Sequence, residues 1–417
     1  MKYSIAAMLG RALRPHARWP RLWREPVLRG AYDAIVIGGG GHGLATAYYL
    51  AKNHGMRRVA VLEKRWIGSG NSGRNTAIVR SNYLFPASIA FYDRSLTLYE
   101  GLTDALGFNI LLSQRGVLTL AYSRSELNRM RRRVAVLRAL GVDAELVDVA
   151  EIARRVPALR LQTPTRCVVG GFVQPRGGIA RHDAVVWGYA RAADELGVDI
   201  AQRAEVSAIE VRAGCARGVT LRDGRKLEAR RVVIAAASGT AALVEPLGIR
   251  LPVVPMALQA MVSEPVARFL DVVIDGAVYV SQSDRGELVV GGNSDAFASF
   301  AQRGVATTAS RNFAALLDVV PRLAELRWLR QWSGTVDYPK DHSPIIGATP
   351  IGGVFLSTAW GSYGFKAIPA AGECLAQTIV DGRAHRLIAP FSLDRFRTGR
   401  LVREAESSGM DLEGVLV

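Results

Sequence analysis

Gly38, Gly40 and Gly43 stand in the spacing G-x-G-x-x-G, and the chemistry open to that spacing is the binding of a pyrophosphate. The first glycine permits a tight turn. The second lets a phosphate approach the backbone, and the third lets a helix lie close against the preceding strand. A helix starting near Gly41 would aim unpaired N–H groups and its positive end at the anion. Glu63 ends the run Val59-Ala60-Val61-Leu62-Glu63, at the spacing expected for a carboxylate that accepts from ribose hydroxyls; Lys64 follows it into the same candidate site. The loop Gly68-Ser69-Gly70-Asn71-Ser72-Gly73-Arg74-Asn75 is small and polar enough to lie against a ligand, and Asn71, Ser72, Arg74 and Asn75 are candidate contacts.

These residues need strands and helices to hold them. Tyr32 to Ile37 reads as a buried strand that breaks into the glycine turn, and Val59 to Glu63 as its parallel neighbour. Arg231 to Ala237 is another buried run, which places Ala236 at the mouth of the same site. Gly353 to Ser357 is a last one, leading through Thr358-Ala359-Trp360-Gly361-Ser362-Tyr363-Gly364-Phe365-Lys366 into a helix reaching about Val380. Residues 183–196 have the spacing of an amphipathic helix, with Val185, Val186, Tyr189 and Ala193 on one side. Residues 252–335 instead alternate with period two, and Ser283-Asp284-Arg285-Gly286 reads as a hairpin turn between two strands.

Parallel and antiparallel patterns that interleave along one chain imply an α/β fold with two discontinuous parts. The expected architecture is a Rossmann-like domain, which binds FAD, with a discontinuous antiparallel-sheet substrate domain. The division expected is a basic arm over 1–30, a cofactor-binding domain over 31–92, 162–248 and 336–390, a substrate domain over 93–161 and 249–335, and a tail over 391–417. FAD is favoured over NAD by position. The glycine turn opens the folded chain and a second strand-turn-helix closes it, so both ends of an extended flavin dinucleotide could be held. Gly361, Gly364 and Phe365 would then face the isoalloxazine, with a helix N-terminus stabilising the negative charge of a reduced ring.

The chain has 417 residues, 49% of them apolar, with a formal charge of +16. That length suffices for two domains and a large core. There is no stretch of eighteen uninterrupted apolar residues, so no membrane-spanning segment is expected. The charge comes without a nucleic-acid recognition motif and points to anionic ligands or a partner subunit instead. Lys2, Arg11, Arg14, Arg18, Arg21, Arg24 and Arg29 stand against Glu25 alone in the first thirty residues. With Trp19 and Trp23 four apart, this segment reads as an arm that docks on a neighbouring surface in preference to a cleaved transit peptide. Three dispersed cysteines and six histidines without ligand spacing give neither a disulfide framework nor a metal site, and suit the cytoplasm.

The segments Gly38–Lys52, Arg74–Tyr83, Gln114–Leu118, Gly178–Ala184, Tyr279–Ser283 and Gly364–Lys366 together resemble the β subunits of heterotetrameric sarcosine oxidases, within the wider D-amino-acid-oxidase-like flavoproteins. The likeness runs from the arm to about Gly399. It implies a chain that holds FAD non-covalently and oxidises a secondary amine such as sarcosine by hydride transfer. It implies FMN attached covalently through His182, electrons passing to dioxygen with formation of hydrogen peroxide, and alpha, gamma and delta subunits as partners. It also implies that tetrahydrofolate on a partner subunit takes up the one-carbon unit. Lys366 matches the lysine, and Arg80 its arginine partner, that bind the substrate carboxylate. A lysine in the first turn of a helix opposes the dipole, which fits an anionic ligand. His182 begins a helix, where the dipole favours neutral imidazole, the form able to attack an activated flavin methyl.

Two stretches depart from the resemblance. Bulky Tyr363 stands where a small residue is expected, and Gly291-Gly292-Asn293-Ser294-Asp295-Ala296-Phe297 is unlike the usual form. Tyr363 is expected to narrow or re-dress the pocket and so to point to another N-methyl or cyclic amino acid. Asp341 and His342 are read as loop residues close to the site. The alternative readings are a free-standing FAD-dependent amino-acid dehydrogenase that passes electrons to a quinone, with His182 unmodified, and a flavin-carrying structural subunit.

Overall fold

The computed structural model describes residues 4–13, 21–163, 166–276 and 278–404. Strand β1 (Ala34–Ile37) leads through the glycine turn into helix α1 (Gly41–His54), which returns to strand β2 (Val59–Glu63). Helix α2 (His182–Glu195) leads to strand β3 (Asp199–Gln202), and strand β4 (Val232–Ile234) lies on the far side of β1. These join a six-stranded sheet in the order β3-β2-β1-β4, completed by Val354–Thr358 and Ile345–Ala348. Its first five strands are parallel in register, Ile35 opposite Ala60 and Val232, and Val232 opposite Val354. Every residue of β1 and β2 is buried, as strands covered on both faces must be. Full burial of one such Val or Ile stabilises by about 1.5–3 kcal/mol.

The second sheet has eight strands. Strand β5 (Val253–Pro265) pairs antiparallel with β6 (Glu287–Ala298) on one side and with β7 (Trp328–Pro339) on the other. The expected hairpin is present: Tyr279–Gln282 pairs with β6, and Gly286 takes φ +103° in the turn between them. Residues 170–174, grouped above with the cofactor-binding segments, pair instead in this second sheet, antiparallel to Val117–Ala121. Their sequence Gly-Gly-Phe-Val-Gln marks a buried strand but carries no signal for its partner.

Helix α3 (Gly364–Asp381) crosses α1 at very close range. A Cβ on Gly41 would come within 2.3 Å of Ile368, and one on Gly372 within 2.6 Å of Ala45. The helices that follow the two predicted ligand-binding turns therefore lock together.

Two terminal segments seal the body. Residues 21–30 lie on the protein's own surface, where Arg24 Nε reaches Asp194 at 2.8 Å and Arg29 Nε reaches Asp199 at 3.2 Å. Trp23 packs against the core there, whereas Trp19 lies outside the described residues. Near the other end, Arg395 and Asp341 form a buried two-pronged ion pair at 2.7 and 2.9 Å. Val402 N–H also donates to Asp341. The loop residue Asp341 thus holds the tail; neither it nor His342 lines the cavity described below.

Candidate active site

A cavity of about 690 Å³ runs between the two sheets, within the range of roughly 300–1,000 Å³ typical of ligand sites. At one end it meets the glycine turn. Gly38 takes φ +111°, and a Cβ there would lie 2.3 Å from the Ala235 carbonyl oxygen. Gly43 stands back from the cavity, against the Gly38 carbonyl, where a Cβ would lie at 2.0 Å. These are the tight-turn and close-packing roles expected from the spacing. The Glu63 carboxylate accepts from Gly39 N–H at 2.8 Å and from Arg65 N–H at 2.8 Å, and Ser72 Oγ accepts from Gly41 N–H at 3.0 Å. Gly40, Lys64, Asn71, Asn75 and Ala236 complete this end. Arg74 lines it too, tied back by its guanidinium to the Ser69 and Gly70 carbonyls and to Gln302.

At the other end, Gly361, Gly364, Phe365 and Lys366 come from the start of α3, and Arg80 from the strand at Ile78–Val79. Lys366 is buried, with its ammonium donating to the Ser362 carbonyl at 3.2 Å. Burial, aided by the charge of Arg80 and opposed by Asp275, lowers it to about 7. Arg80 is also buried; its Nη1 donates to Asn82 at 2.6 Å and its Nε lies 3.7 Å from Asp275. Burial acts to lower the guanidinium, but the facing Asp275 carboxylate together with Tyr83, Tyr279 and Tyr363 outweighs it and pushes the group up. The result is a pocket of excess positive charge, suited to a carboxylate.

Tyr363 does not narrow the cavity, which it does not line. Its ring lies beneath Lys366, 5.7 Å from Nζ, and meets Tyr83 edge-on. Its hydroxyl donates to the Glu404 carbonyl at 3.3 Å. The position follows a one-turn 3₁₀ segment, Gly361–Tyr363, which turns the side chain into the core. His182 also lies outside the cavity. It stands three residues beyond Ile179, which pairs with Ile78, so it sits behind the wall that carries Arg80. Its ring is half-buried, makes no hydrogen bond among the described residues, and is held below its ordinary range by burial.

Sequence reasoning missed His42, Asp275, Tyr279 and Asp337, all of which line the cavity. His42 is half-buried with its ring nitrogens shut away from solvent, stacks on Trp360 at 4.1 Å, and is lowered to about 3 by burial. Asp275 and Asp337 each sit in a strand of otherwise ordinary pattern. An acidic residue among apolar neighbours was the available signal.

Residues 33–378 match the family model described as FAD dependent oxidoreductase. The chain belongs to this family and is an FAD-dependent amine oxidoreductase. It is 42% identical to sarcosine oxidase subunit beta of Rhodobacter capsulatus, over 98% of this chain and 99% of that relative. It is 45% identical to sarcosine oxidase subunit beta of Rhizobium meliloti, over 97% and 98%. Among solved structures, the fold resembles L-proline dehydrogenase from P. horikoshii, with a TM-score of 0.83, 24% identity and coverage of 90% of this chain and 100% of that one. Glycine oxidase from Geobacillus kaustophilus gives 0.80 at 23% identity, covering 88% and 99%.

The cavity fits FAD. A Cβ at Gly38 or Gly43 would destroy the tight turn that close approach of a pyrophosphate requires, and the Glu63 carboxylate lines the cavity beside that turn. In the same cavity Ser357 Oγ and Trp360 Nε1 are buried without hydrogen-bond partners among the described residues. Orphaned polar atoms of this kind are ready to meet a polar ligand edge. Among the described residues no helix is long and apolar enough to cross a membrane.

Proposed function

We propose that this chain is the amine-oxidising subunit of a sarcosine oxidase assembly, acting on sarcosine or a related small N-methyl amino acid. One observation carries the reading: Lys366 and Arg80, from segments 286 residues apart (366 − 80), converge on the cavity whose other end is the G-x-G-x-x-G turn. The sarcosine oxidase β subunits named above support the choice of substrate.

Lys366 and Arg80 grip the substrate carboxylate. Arg80 is pre-positioned by Asn82 and Asp275, and Lys366 by the Ser362 carbonyl. A bound anion restores the positive charge that burial costs Lys366, so binding and protonation reinforce each other. The enclosing walls exclude water, which strengthens both contacts. The chemistry that the flavins supply when bound is two-electron oxidation of the substrate at FAD and delivery of the electrons to dioxygen, as hydrogen peroxide, at FMN. His182 is the residue that would hold FMN covalently; its neutral, unpartnered ring suits that bond. Alpha, gamma and delta chains, with tetrahydrofolate on one of them, complete the reading.

The test is to co-express the chain with its neighbouring subunits, assay sarcosine-dependent peroxide formation, and precipitate the protein in acid. The reading expects turnover, one flavin released by acid, and one retained on the peptide containing His182. Turnover with no acid-stable flavin would remove the FMN assignment, and no turnover of any N-methyl amino acid would remove the substrate assignment.

A further inference from the structure

Tyr363 puts a bulky side chain where a small one is expected, yet it lies outside the cavity. Its surroundings give it a task. Lys366 Nζ lies over its ring, 5.7 Å from the centroid. The Arg80 guanidinium lies over a second buried ring, Tyr83, at 5.1 Å. The two rings meet edge-on with centroids 5.3 Å apart, and Tyr83 stacks in turn on Tyr92 at 3.8 Å. The two cations of the pocket therefore stand on one aromatic floor, and each ring attracts the cation above it. A shift of either ring would shift the charge it carries.

One residue of the tail fastens this floor. Glu404 is buried. Its carboxylate accepts from Phe85 N–H at 2.9 Å and from Leu84 N–H at 3.3 Å, directly after Tyr83 and at the start of the helix Pro86–Glu100. A helix start leaves such N–H groups without acceptors of its own and favours a negative charge beside them. The Glu404 carbonyl accepts from the Tyr363 hydroxyl at 3.3 Å. Its N–H donates to the Asp341 carbonyl at 3.0 Å, and Asp341 is locked to Arg395 by the buried ion pair. Glu404 thus holds both ring-bearing segments against a fixed support. It does not line the cavity, so it reaches a ligand only through the rings.

We propose that Glu404 is a positioning residue for the substrate carboxylate, holding Tyr83 and Tyr363 where they set the separation and direction of Arg80 and Lys366. This rests on the functional reading above. A grip by two cations is sensitive to displacements of about 1 Å, and the tail fixes their placement from outside the cavity.

The experiment titrates the flavin-loaded complex with butanoate, which has the chain length of sarcosine and a CH₂ in place of N–H. It is run well below the melting temperature, where every variant is fully folded. Glu404→Gln keeps the size of the side chain and removes its charge and one acceptor. It is expected to raise the Kd of butanoate and the KM of sarcosine together by about threefold to tenfold, the range for one net hydrogen bond. Flavin content and kcat stay as in the unmodified protein. Tyr363→Phe removes the hydroxyl and keeps the ring; it shifts both constants in the same direction and serves should the glutamine variant fold poorly. A lower melting temperature with unchanged Kd and KM would make Glu404 a fastener of the tail alone and overturn the proposal. Loss of flavin, or a fall in kcat at unchanged KM, would overturn it too. Absence of sarcosine turnover and of butanoate binding in the unmodified protein would instead overturn the functional reading on which it stands.

Discussion

At the glycine-turn end of the cavity the contacts are made by backbone; at the Lys366 end they are made by buried charges. The first end is settled before any ligand arrives. Gly39 and Gly41 already donate to Glu63 and Ser72, and the turn closes within a few residues of sequence. The second end gathers Arg80, Asp275 and Lys366 from three separate segments, and Lys366 is held far from its ordinary titration range by burial. A cofactor that stays bound can be met by shape and by N–H groups whose desolvation is shared with a carboxylate. A substrate that comes and goes needs groups left incompletely satisfied, and these destabilise the unliganded fold.

That contrast can be broken at either end. The largest effect is expected at the backbone end. Gly38→Ala forces a side chain into φ +111° and within 2.3 Å of Ala235, so strain and overpacking together should cost about 3–5 kcal/mol. Urea denaturation and flavin content measure it; a stable variant with full flavin would show that the turn is not the rigid element described here. A smaller effect of opposite sign is expected at the buried carboxylate of Asp337. Asp337 sits at about 7 in the fold, against an ordinary value of 3.8. Between those values the folded protein binds the extra proton, so stability falls as pH rises through the window, and above it the full cost is present. Asp337→Asn should therefore stabilise the substrate-free protein by about 2–4 kcal/mol at pH 8 and by almost nothing near pH 4. A melting temperature that shifts equally at both pH values would mean that Asp337 is not an unpaired buried anion.

The same contrast governs what the amino-acid sequence reveals. The turn at Gly38 is legible because its geometry is local: spacing dictates conformation, and the strand before it and the helix after it are marked by their own patterns. Lys366 and Arg80 emerge only through resemblance to a family, since a lone lysine or arginine says nothing of which cavity it faces. Asp337 escapes altogether, because its meaning lies in an absence of partners that only three dimensions show. Tyr363 misleads for a related reason. Its bulk suggests a narrowed pocket, but the 3₁₀ turn carries its ring under Lys366 and against Tyr83. The basic arm is half legible: its charge calls for acidic partners, and Asp194 and Asp199 of the same chain supply them.

The central claim is that Lys366 clamps the acid group of the substrate over the flavin site. Titration of butanoate into the purified flavoprotein, followed by flavin absorbance for the unmodified chain and for Lys366→Met, tests it directly. Loss of a buried charged partner should weaken binding by about 30-fold or more, and affinity for the unmodified chain should fall as pH rises above about 7, where free Lys366 loses its proton. Equal affinity for the two proteins across that range would contradict the account.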